Sequence, residues 1–150
     1  MAGHKVSRYA TLYLRLALAS AYLSSVTSRF GVWGKGVGWG NFANFLDYTA
    51  KVNPFLPRTI IPALGWFVTI AESILALFLI AGFRIRETAF FSGLLLILFA
   101  IGMTIGVSVI SPFDYSVYTA SAASFLLAVY HRECFLCVDA MVRRDRMAAA

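Results

Sequence analysis

Residues 60–81 read IIPALGWFVTIAESILALFLIA, an apolar run that a single charged residue, Glu72, interrupts. A transmembrane helix needs about 20 mostly apolar residues, so this stretch predicts a membrane span. A short basic turn follows at residues 82–87, and residues 88–110 form a second apolar run without any charge. Two such runs joined by a short turn predict a helical hairpin across a bilayer.

The composition of the whole chain agrees with that prediction. The 150 residues are 60% hydrophobic and only 13% charged, with a mean hydropathy of +0.76. Soluble domains are about 45–50% apolar and about 25% charged, so too little polar surface exists here for an ordinary soluble enzyme. Two cysteines exclude a disulfide-stapled scaffold. The length allows a single domain.

Two more stretches complete a predicted bundle. Residues 9–27 are apolar apart from Arg15, and residues 115–130 are shorter and rich in Ala and Ser. A cleaved signal peptide is the alternative for the first stretch, but Arg15 in its apolar centre favours a retained span. We therefore expect an all-α membrane protein, a four-transmembrane-helix bundle in one domain over residues 1–150.

The long first connection, residues 28–59, carries structure of its own in this prediction. Its glycine-rich start favours a flexible loop with Trp33 and Trp39 at the lipid headgroups, since a phosphate-binding loop lacks its strand and its Gly-Lys-Ser/Thr ending. Phe42, Phe45 and Thr49 then follow at helical spacing. This pattern predicts a short interfacial helix or a lid over the bundle.

The basic residues predict the orientation. The net charge of +6 and pI of 9.7 are explained by the membrane rather than by nucleic acid, for which we expect no binding. One side of the bundle holds Lys5, Arg8, Arg84, Arg86, Arg132, Arg143, Arg144 and Arg146; the other holds Arg29, Lys35, Lys51 and Arg58. The positive-inside rule therefore predicts that both termini lie in the cytoplasm.

Two ionisable residues, Arg15 and Glu72, lie well inside the predicted spans. Charges within a membrane usually face the bundle interior and find a partner, so a mutual ion pair is the first hypothesis and makes both residues candidates for chemistry. In the alternative, Arg15 extends to the cytoplasmic headgroups and Glu72 is protonated. The hydrogen-bond partners considered for a protonated Glu72 are Tyr22, Thr69, Ser73 and Thr104.

Small residues on the third and fourth predicted spans indicate close packing between them. Gly102 and Gly106 form a GxxxG motif, which lets helix backbones approach closely, and Thr104 adds a lightly polar face. The fourth span offers Ala120, Ala123, Ser124 and Ala128. Between these spans, Pro112 is predicted to end one helix and Asp114 to cap the next.

The sequence after the fourth span contains His131, Cys134 and Cys137. A CxxC motif is a redox pair or half of a zinc site in some proteins, and the three residues would share one face of a continuing helix. Reduced, packed cysteines are the favoured interpretation, because a cytoplasmic location keeps thiols reduced. Residues 131–150 are expected to form a basic amphipathic tail on the membrane surface.

The chain resembles the DoxX-like family of small bacterial four-span membrane proteins. The resemblance covers about residues 10–130 and rests on Leu14-Arg15-Leu16, on the stretch FVTIAE ending at Glu72, and on LFLIAGFRIR at residues 77–86. It places Arg15 and Glu72 at the intramembrane charges that recur in the family. It also implies a multi-pass protein of the bacterial inner membrane, and a link to quinone-coupled thiosulfate oxidation or to thiol-redox complexes.

The residue patterns and the family resemblance together suggest three functions. The first is an auxiliary subunit of a membrane-bound redox complex, in which a quinone or lipid occupies a pocket, Glu72 exchanges a proton and Arg15 polarises a quinone oxygen. The second is a structural or assembly subunit that packs against a larger complex, with membrane lipids and other subunits as partners. The third, a transporter or channel, is least favoured because no inverted repeat is evident.

Overall fold

The computed structural model describes residues 2–34, 36–134 and 136–138, with side chains from residue 7 onward. This part of the chain contains α-helices and no strands. The helices are α1 (Ala2–Arg29), α2 (Phe42–Val52), α3 (Ile61–Ala81), α4 (Ile85–Gly106), α5 (Ser111–Asp114) and α6 (Val117–Val129), followed by one 3-10 turn at His131–Glu133. The all-helical prediction is confirmed, as is a short helix in the first connection.

Two of these helices, α3 and α4, are long and apolar enough to cross a membrane. Most of their large apolar side chains point outward: Trp66, Phe67, Ile70, Ile74, Leu77, Phe78, Phe90, Phe91, Leu94, Leu98, Ile101 and Ile105. The other two predicted spans are less clear. Helix α1 is long enough but more polar, and the 13 residues of α6 extend only about 20 Å at 1.5 Å per residue.

The long helices run back and forth between two ends of the bundle. At one end, which we call the CxxC end, the Ser7 hydroxyl donates to Glu133 and Cys137 packs against Gly82. At the other, which we call the α2 end, Leu46 of α2 lies against Gly65 near the start of α3, and Val52 lies against Gly102 of α4. The start of α1 and the turn between α3 and α4 therefore share an end, as the alternating pattern of predicted spans requires.

Helix α3 begins and ends where its sequence signals predict. Pro62 occupies the first turn, where its missing N–H costs nothing. Gly82 adopts a left-handed conformation (φ 69°), and both its N–H and that of Phe83 donate to the carbonyl of Phe78. Glycine suits this position because side chains disfavour positive φ.

The connection between α4 and α6 differs from the prediction. Helix α4 ends at Gly106, before Pro112, which instead occupies the first turn of α5. Asp114 is the last residue of α5 and does not cap α6; Ser116, at φ 54°, precedes α6 without a side-chain cap. Proline is favoured in the first turn of a helix, so the expectation that Pro112 ends α4 was wrong.

A chain of hydroxyl groups joins α1, α4 and α6 in the bundle core. The Tyr22 hydroxyl lies 2.8 Å from Ser92 Oγ, which lies 3.0 Å from Ser124 Oγ. Ser121 donates to the carbonyl of Gly93 at 3.0 Å. Helices α4 and α6 therefore pack together as predicted, but through Ser92, Gly93, Ser121 and Ser124 rather than through Gly102 and Gly106.

Candidate functional site

The charged centre of the bundle is an ion pair between Arg29 and Glu72. Arg29 Nη2 lies 2.6 Å from Glu72 Oε2, and both side chains are almost fully buried. Arg29 Nη1 donates to Thr69 Oγ1 at 2.7 Å, and Nη2 also reaches Ser25 Oγ at 3.2 Å. The guanidinium carbon lies 3.8 Å from the centre of the Phe45 ring, a cation–π contact.

The predicted pair between Arg15 and Glu72 is wrong. Glu72 pairs with Arg29 instead. The other proposed partners of Glu72 form hydrogen bonds elsewhere. The Tyr22 hydroxyl contacts Ser92, and the hydroxyls of Thr104 and Ser73 donate to the carbonyls of Ala100 and Thr69. The Thr69 hydroxyl donates to the carbonyl of Gly65 and accepts from Arg29. Helical side chains lean toward their own N-terminus, so Arg15 and Glu72 point apart.

Arg15 instead holds the CxxC end together. Its Nε and Nη2 donate to the carbonyls of Leu79 and Ile80 at the end of α3, at 2.8 and 3.0 Å. The same Nη2 donates to the carbonyl of Leu136 at 3.1 Å, and Nη1 to Cys134 Sγ at 3.0 Å. A cation at a helix C-terminus also complements the helix dipole. Arg15 is buried, so the alternative that it extends to the headgroups does not hold.

Sequence reasoning missed Arg29 because it placed this residue in the first connection. No glycine or proline separates Thr27 from Arg29, and α1 continues to Arg29. The signal that could have identified it is spacing: residues 15, 18, 22 and 29 of α1 are all buried, at intervals that place them on one helix face. The same face carries both buried arginines at opposite ends of the bundle.

A cavity of about 680 Å³ extends from the Arg29–Glu72 pair to the underside of α2. We call it the α2 chamber. Its polar and aromatic lining includes Ser24, Ser25, Ser28, Arg29, Trp39, Phe45, Tyr48, Thr49, Asn53, Glu72, Phe99 and Tyr115; its aliphatic lining includes Ala21, Leu64, Val68, Leu98, Met103 and Val117. This volume is typical of a site for a small organic molecule.

Helix α2 covers this chamber like a lid. Asn41 caps the helix by accepting from the N–H of Asn44 at 2.8 Å. Trp39 packs on Phe45 and Tyr48, with ring centres 5.5 and 4.9 Å apart, and its backbone N–H donates to Ser28 Oγ. The sequence predicted either an interfacial helix or a lid here, and it assigned Trp39 to the headgroups, whereas Trp39 lines the chamber.

The other residues singled out in this region lie around the lid. Trp33 is exposed, and its indole N–H donates to the carbonyl of Ser24 at 3.3 Å. Burial raises the pKa of the Tyr48 phenol, and the neighbouring Tyr115 acts in the same direction. Tyr48 therefore remains a neutral hydroxyl at physiological pH.

The GxxxG motif contributes to the chamber by letting α2 approach α4. A Cβ on Gly106 would collide with the carbonyl of Lys51 and the backbone of Val52, and one on Gly102 would lie 3.3 Å from the carbonyl of Val52. The motif therefore contacts the end of α2 rather than α6. This is tight packing within the chain, the interpretation that the sequence favoured.

A second, open groove of about 460 Å³ lies outside the bundle between α3 and α4. Its walls are mainly aromatic and aliphatic, including Phe67, Ile74, Phe78, Phe91, Leu94 and Leu98. Arg84 and Glu87 lie at its mouth, 3.7 Å apart and exposed. This groove is separate from the buried ion pair.

The CxxC end does not form the helical face that was considered for metal binding. Helix α6 stops at Val129, so His131 lies in the 3-10 turn while Cys134 is extended. The His131 ring contacts the carbonyl of Ala128 at 2.9 Å, and both cysteines are buried and unpaired by disulfides. Residues 7–34, 36–134 and 136–138 contain no cluster of three metal-ligating side chains. Most of the expected tail, residues 139–150, lies outside the described residues.

The chain matches no protein-family profile, no curated protein and no solved structure.

Proposed function

We propose that this protein is an integral membrane protein that binds a small amphipathic molecule, of the quinone or lipid class, in the α2 chamber. The observation that carries the proposal is the chamber itself, about 680 Å³ in volume and ending on a buried Arg29–Glu72 pair. Ligand pockets typically combine an apolar lining with a few polar groups that fix orientation.

The lining matches both parts of such a molecule. Aromatic and aliphatic side chains, among them Phe45, Phe99 and Met103, suit a ring or an alkyl chain. The polar head would lie against Arg29, with Tyr48 and Tyr115 as further hydroxyl groups nearer the lid. Intramembrane ionisable residues mark functional sites by default, and this pair lies at the deep end of the cavity.

We further propose that the protein acts as an auxiliary subunit of a quinone-linked membrane complex, in line with its resemblance to the DoxX-like family. In this proposal Arg29 takes the place that the sequence gave to Arg15, because Arg29 lines the chamber while Arg15 lies at the CxxC end. Glu72 is the candidate for proton exchange. The four-span topology in a bacterial inner membrane, with cytoplasmic termini, belongs to the same proposal.

The alternative is a structural or assembly subunit without chemistry of its own. The outer groove between α3 and α4 favours it, because this apolar surface would also suit a helix of another subunit. An empty chamber in the purified protein would favour this alternative.

Native mass spectrometry of the full chain, released from membranes in two different mild detergents, tests chamber binding. We expect the wild-type protein to carry one additional small molecule, with the same mass in both detergents. Ala21→Phe places a ring in the chamber and should abolish the adduct. Ala17→Phe, one turn away on α1 and outside the chamber, is the matched control and should keep it. No adduct, or one that survives Ala21→Phe, would contradict the proposal.

A further inference from the structure

We propose that the outer groove between α3 and α4 binds a phospholipid of the bilayer whose headgroup carries both a phosphate and a primary ammonium. An acyl chain lies in the groove, the phosphate contacts Arg84 and the ammonium contacts Glu87. This site is distinct from the α2 chamber, and the proposal shares with the proposed function only the location in a membrane. Three features of the groove support it: its open apolar walls, its length and the charges at its mouth.

The walls of the groove are apolar, and the described part of the chain leaves them uncovered. They include Phe67, Ala71 and Phe78 of α3 and Phe91, Leu94 and Leu98 of α4, with about 460 Å³ of space between them. Phe67, Phe91 and Leu98 are each more than half exposed. Water disfavours such a surface, whereas a lipid chain can fill it with close apolar contacts.

The groove is about as long as the hydrocarbon layer of one leaflet is deep. Along α3 it extends from Phe67 to Phe78, about three helical turns and about 16 Å at 1.5 Å per residue. The hydrocarbon core of a bilayer is about 30 Å thick, so each leaflet contributes about half of that depth. Phe78 lies in the last turn of α3, at the CxxC end. An acyl chain in the groove would therefore extend from the headgroups at the CxxC end to the middle of the membrane.

The mouth of the groove carries one positive and one negative charge. Arg84 Nη2 lies 3.7 Å from Glu87 Oε1, and the two side chains are 64% and 48% exposed. Hydrogen bonds between an arginine and a carboxylate are about 2.7–2.9 Å long, so the two side chains form only a loose pair. Both side chains lie at the start of α4 and are accessible to a headgroup whose acyl chain occupies the groove.

This balance of charge determines which headgroup fits. A purely anionic headgroup would suit Arg84, but its phosphate would lie beside the carboxylate of Glu87, and like charges repel. A choline headgroup has no N–H group to donate to that carboxylate. A primary ammonium offers three N–H donors, so a phosphoethanolamine headgroup matches both residues at once.

Native mass spectrometry of the full-length protein with competing phospholipids tests the proposal. Because the groove is open, its lipid exchanges with detergent during purification, unlike a molecule beneath α2. The washed protein receives equal amounts of phosphatidylethanolamine, phosphatidylcholine and phosphatidylglycerol with the same acyl chains. We expect the ethanolamine lipid to bind about threefold more tightly than either other lipid, or about 0.7 kcal/mol, a difference of the size that exposed ion pairs contribute.

A second comparison on the wild-type protein varies only the ammonium. Ethanolamine lipids with one or two N-methyl groups keep the positive charge, but each methyl group replaces one N–H donor. Their affinities should therefore fall stepwise between those of the ethanolamine and choline lipids. This comparison requires no variant to fold.

Three substitutions at the mouth distinguish the two charges. Glu87→Gln removes the partner of the ammonium, so the preference for ethanolamine over choline should disappear and the glycerol lipid should bind about threefold more tightly. Arg84→Gln removes the partner of the phosphate and should weaken all three lipids about threefold. Arg86→Gln, at an exposed arginine outside the groove lining, is the matched control and should leave all affinities unchanged.

A further pair of variants tests the groove itself. Ala71→Phe places a ring between the walls and should weaken the binding of all three lipids about tenfold. Ala63→Phe, an exposed position on the same helix outside the groove, is its control and should bind lipid like the wild type.

Several results would overturn the proposal. Equal binding of the ethanolamine and choline lipids to wild type, or a preference for the glycerol lipid, would contradict the proposed headgroup. A preference that survives Glu87→Gln, or lipid binding that survives Ala71→Phe, would show that the lipid binds elsewhere. A polypeptide that co-purifies with Ala63→Phe but not with Ala71→Phe would show that a helix of another subunit occupies the groove.

Failure of this proposal and failure of the proposed function are distinguishable. Ala21→Phe, which blocks the α2 chamber, should leave phospholipid binding unchanged. An empty chamber would overturn the proposed chamber ligand and leave the groove lipid intact. Recovery of the protein from the soluble fraction of cells, rather than from membranes, would overturn both.

Discussion

Arg15 and Arg29 lie on one face of α1 and are both buried, yet they meet different surroundings. Arg15 faces the end of α3, where the last carbonyls of the helix have no partner within the helix, and it donates to two of them. Arg29 faces Glu72, in the middle of α3, and forms an ion pair. Position along α1 thus gives one arginine a role in packing and the other a place in the chamber.

Arg15→Met should destabilise the protein by about 3 kcal/mol, because the carbonyls of Leu79, Ile80 and Leu136 lose their common donor at about 1 kcal/mol each. Thermal unfolding in detergent measures the loss. Arg86→Met, at an exposed position, is the matched control and should change stability little. Equal effects of the two substitutions would show that Arg15 is not a buried donor.

The reactivity of Cys134 should depend on pH in a particular direction. Burial raises the pKa of its thiol from 9.0 to about 11; the hydrogen bond with Cys137 acts in the same direction, and the Arg15 guanidinium opposes both. The thiolate is the reactive form, so maleimide labelling of Cys134 should be slow at pH 8 and accelerate only toward pH 11.

The reference for that labelling experiment is Leu136→Cys, an exposed position, in a chain with both native cysteines replaced by alanine. The raised pKa also has a consequence for stability. The folded protein retains a proton that the unfolded chain loses above pH 9, so the contribution of Cys134 is full below pH 9 and declines as the pH rises toward 11. Equal labelling rates at positions 134 and 136 at pH 8 would contradict this account.

For individual residues, the sequence predicts that Arg15 and Glu72 are buried, but it does not predict which residues they contact. Burial follows from an apolar neighbourhood, whereas a partner depends on the rotation and offset of two helices. The 2.6 Å contact of Glu72 with Arg29 required α1 to extend two residues beyond its predicted end at residue 27. Helix boundaries are the least certain part of sequence analysis, and here they determine the site.

Among the helices, α2 depends most on glycine for its packing against a neighbour. Its last residues cross α4 at Gly106 and Gly102, where the backbones meet without side chains between them. Small-xxx-small motifs serve this purpose between membrane helices. Here the motif packs against α2, the lid, rather than against a neighbouring span, so it contributes directly to the shape of the chamber.

Gly106→Ala should weaken the packing of α2 against α4 more than Gly102→Ala does. The added methyl group meets the backbone of Lys51 and Val52 at position 106, but only a 3.3 Å contact with the carbonyl of Val52 at position 102. Overpacking costs about 1–3 kcal/mol, so we expect a clear loss of thermal stability and faster proteolysis near Asn53 in the first variant alone. The reverse order of effects would show that α2 does not pack on α4 as described.

The elements themselves are largely predictable, because hydrophobic runs, Pro62 and Gly82 mark their limits independently of tertiary contacts. The helical spacing of Phe42, Phe45 and Thr49 predicted α2, which extends over Phe42–Val52. The failures lie at Pro112 and Asp114, where the hydroxyls of Ser108 and Ser111, 3.0 Å apart, close a turn. Such local hydroxyl contacts compete with helix geometry and leave no periodic signal.

For the whole molecule, the distribution of apolar surface is the main constraint. Helices α3 and α4 expose rings and aliphatic chains along their outer faces, while the polar contacts of Arg29, Glu72, Tyr22 and Ser92 are inside. Water disfavours that surface and a bilayer favours it. The structure therefore suits a membrane environment and agrees with the composition.

The proposed orientation predicts that both chain ends and the turn at residues 82–84 face the cytoplasm. Reporter fusions to the N-terminus and after residue 138 should be active only in the cytoplasmic form, and a fusion after Pro57 only in the extracytoplasmic form. The physical reason is the excess of Lys and Arg near the CxxC end. Reporters of opposite type at the two ends would contradict an even number of spans.

The central claim is that the α2 chamber, rather than the outer groove, holds the ligand. Photolabelling of the full-length protein in membranes with an azido-quinone, followed by peptide mapping, tests it most directly. We predict that the label appears on the segment of α2 from Phe45 to Val52 and that excess unlabelled decyl quinone removes it. Label confined to Phe67, Phe78, Phe91 and the other residues of the outer groove, with α2 unlabelled, would contradict the account.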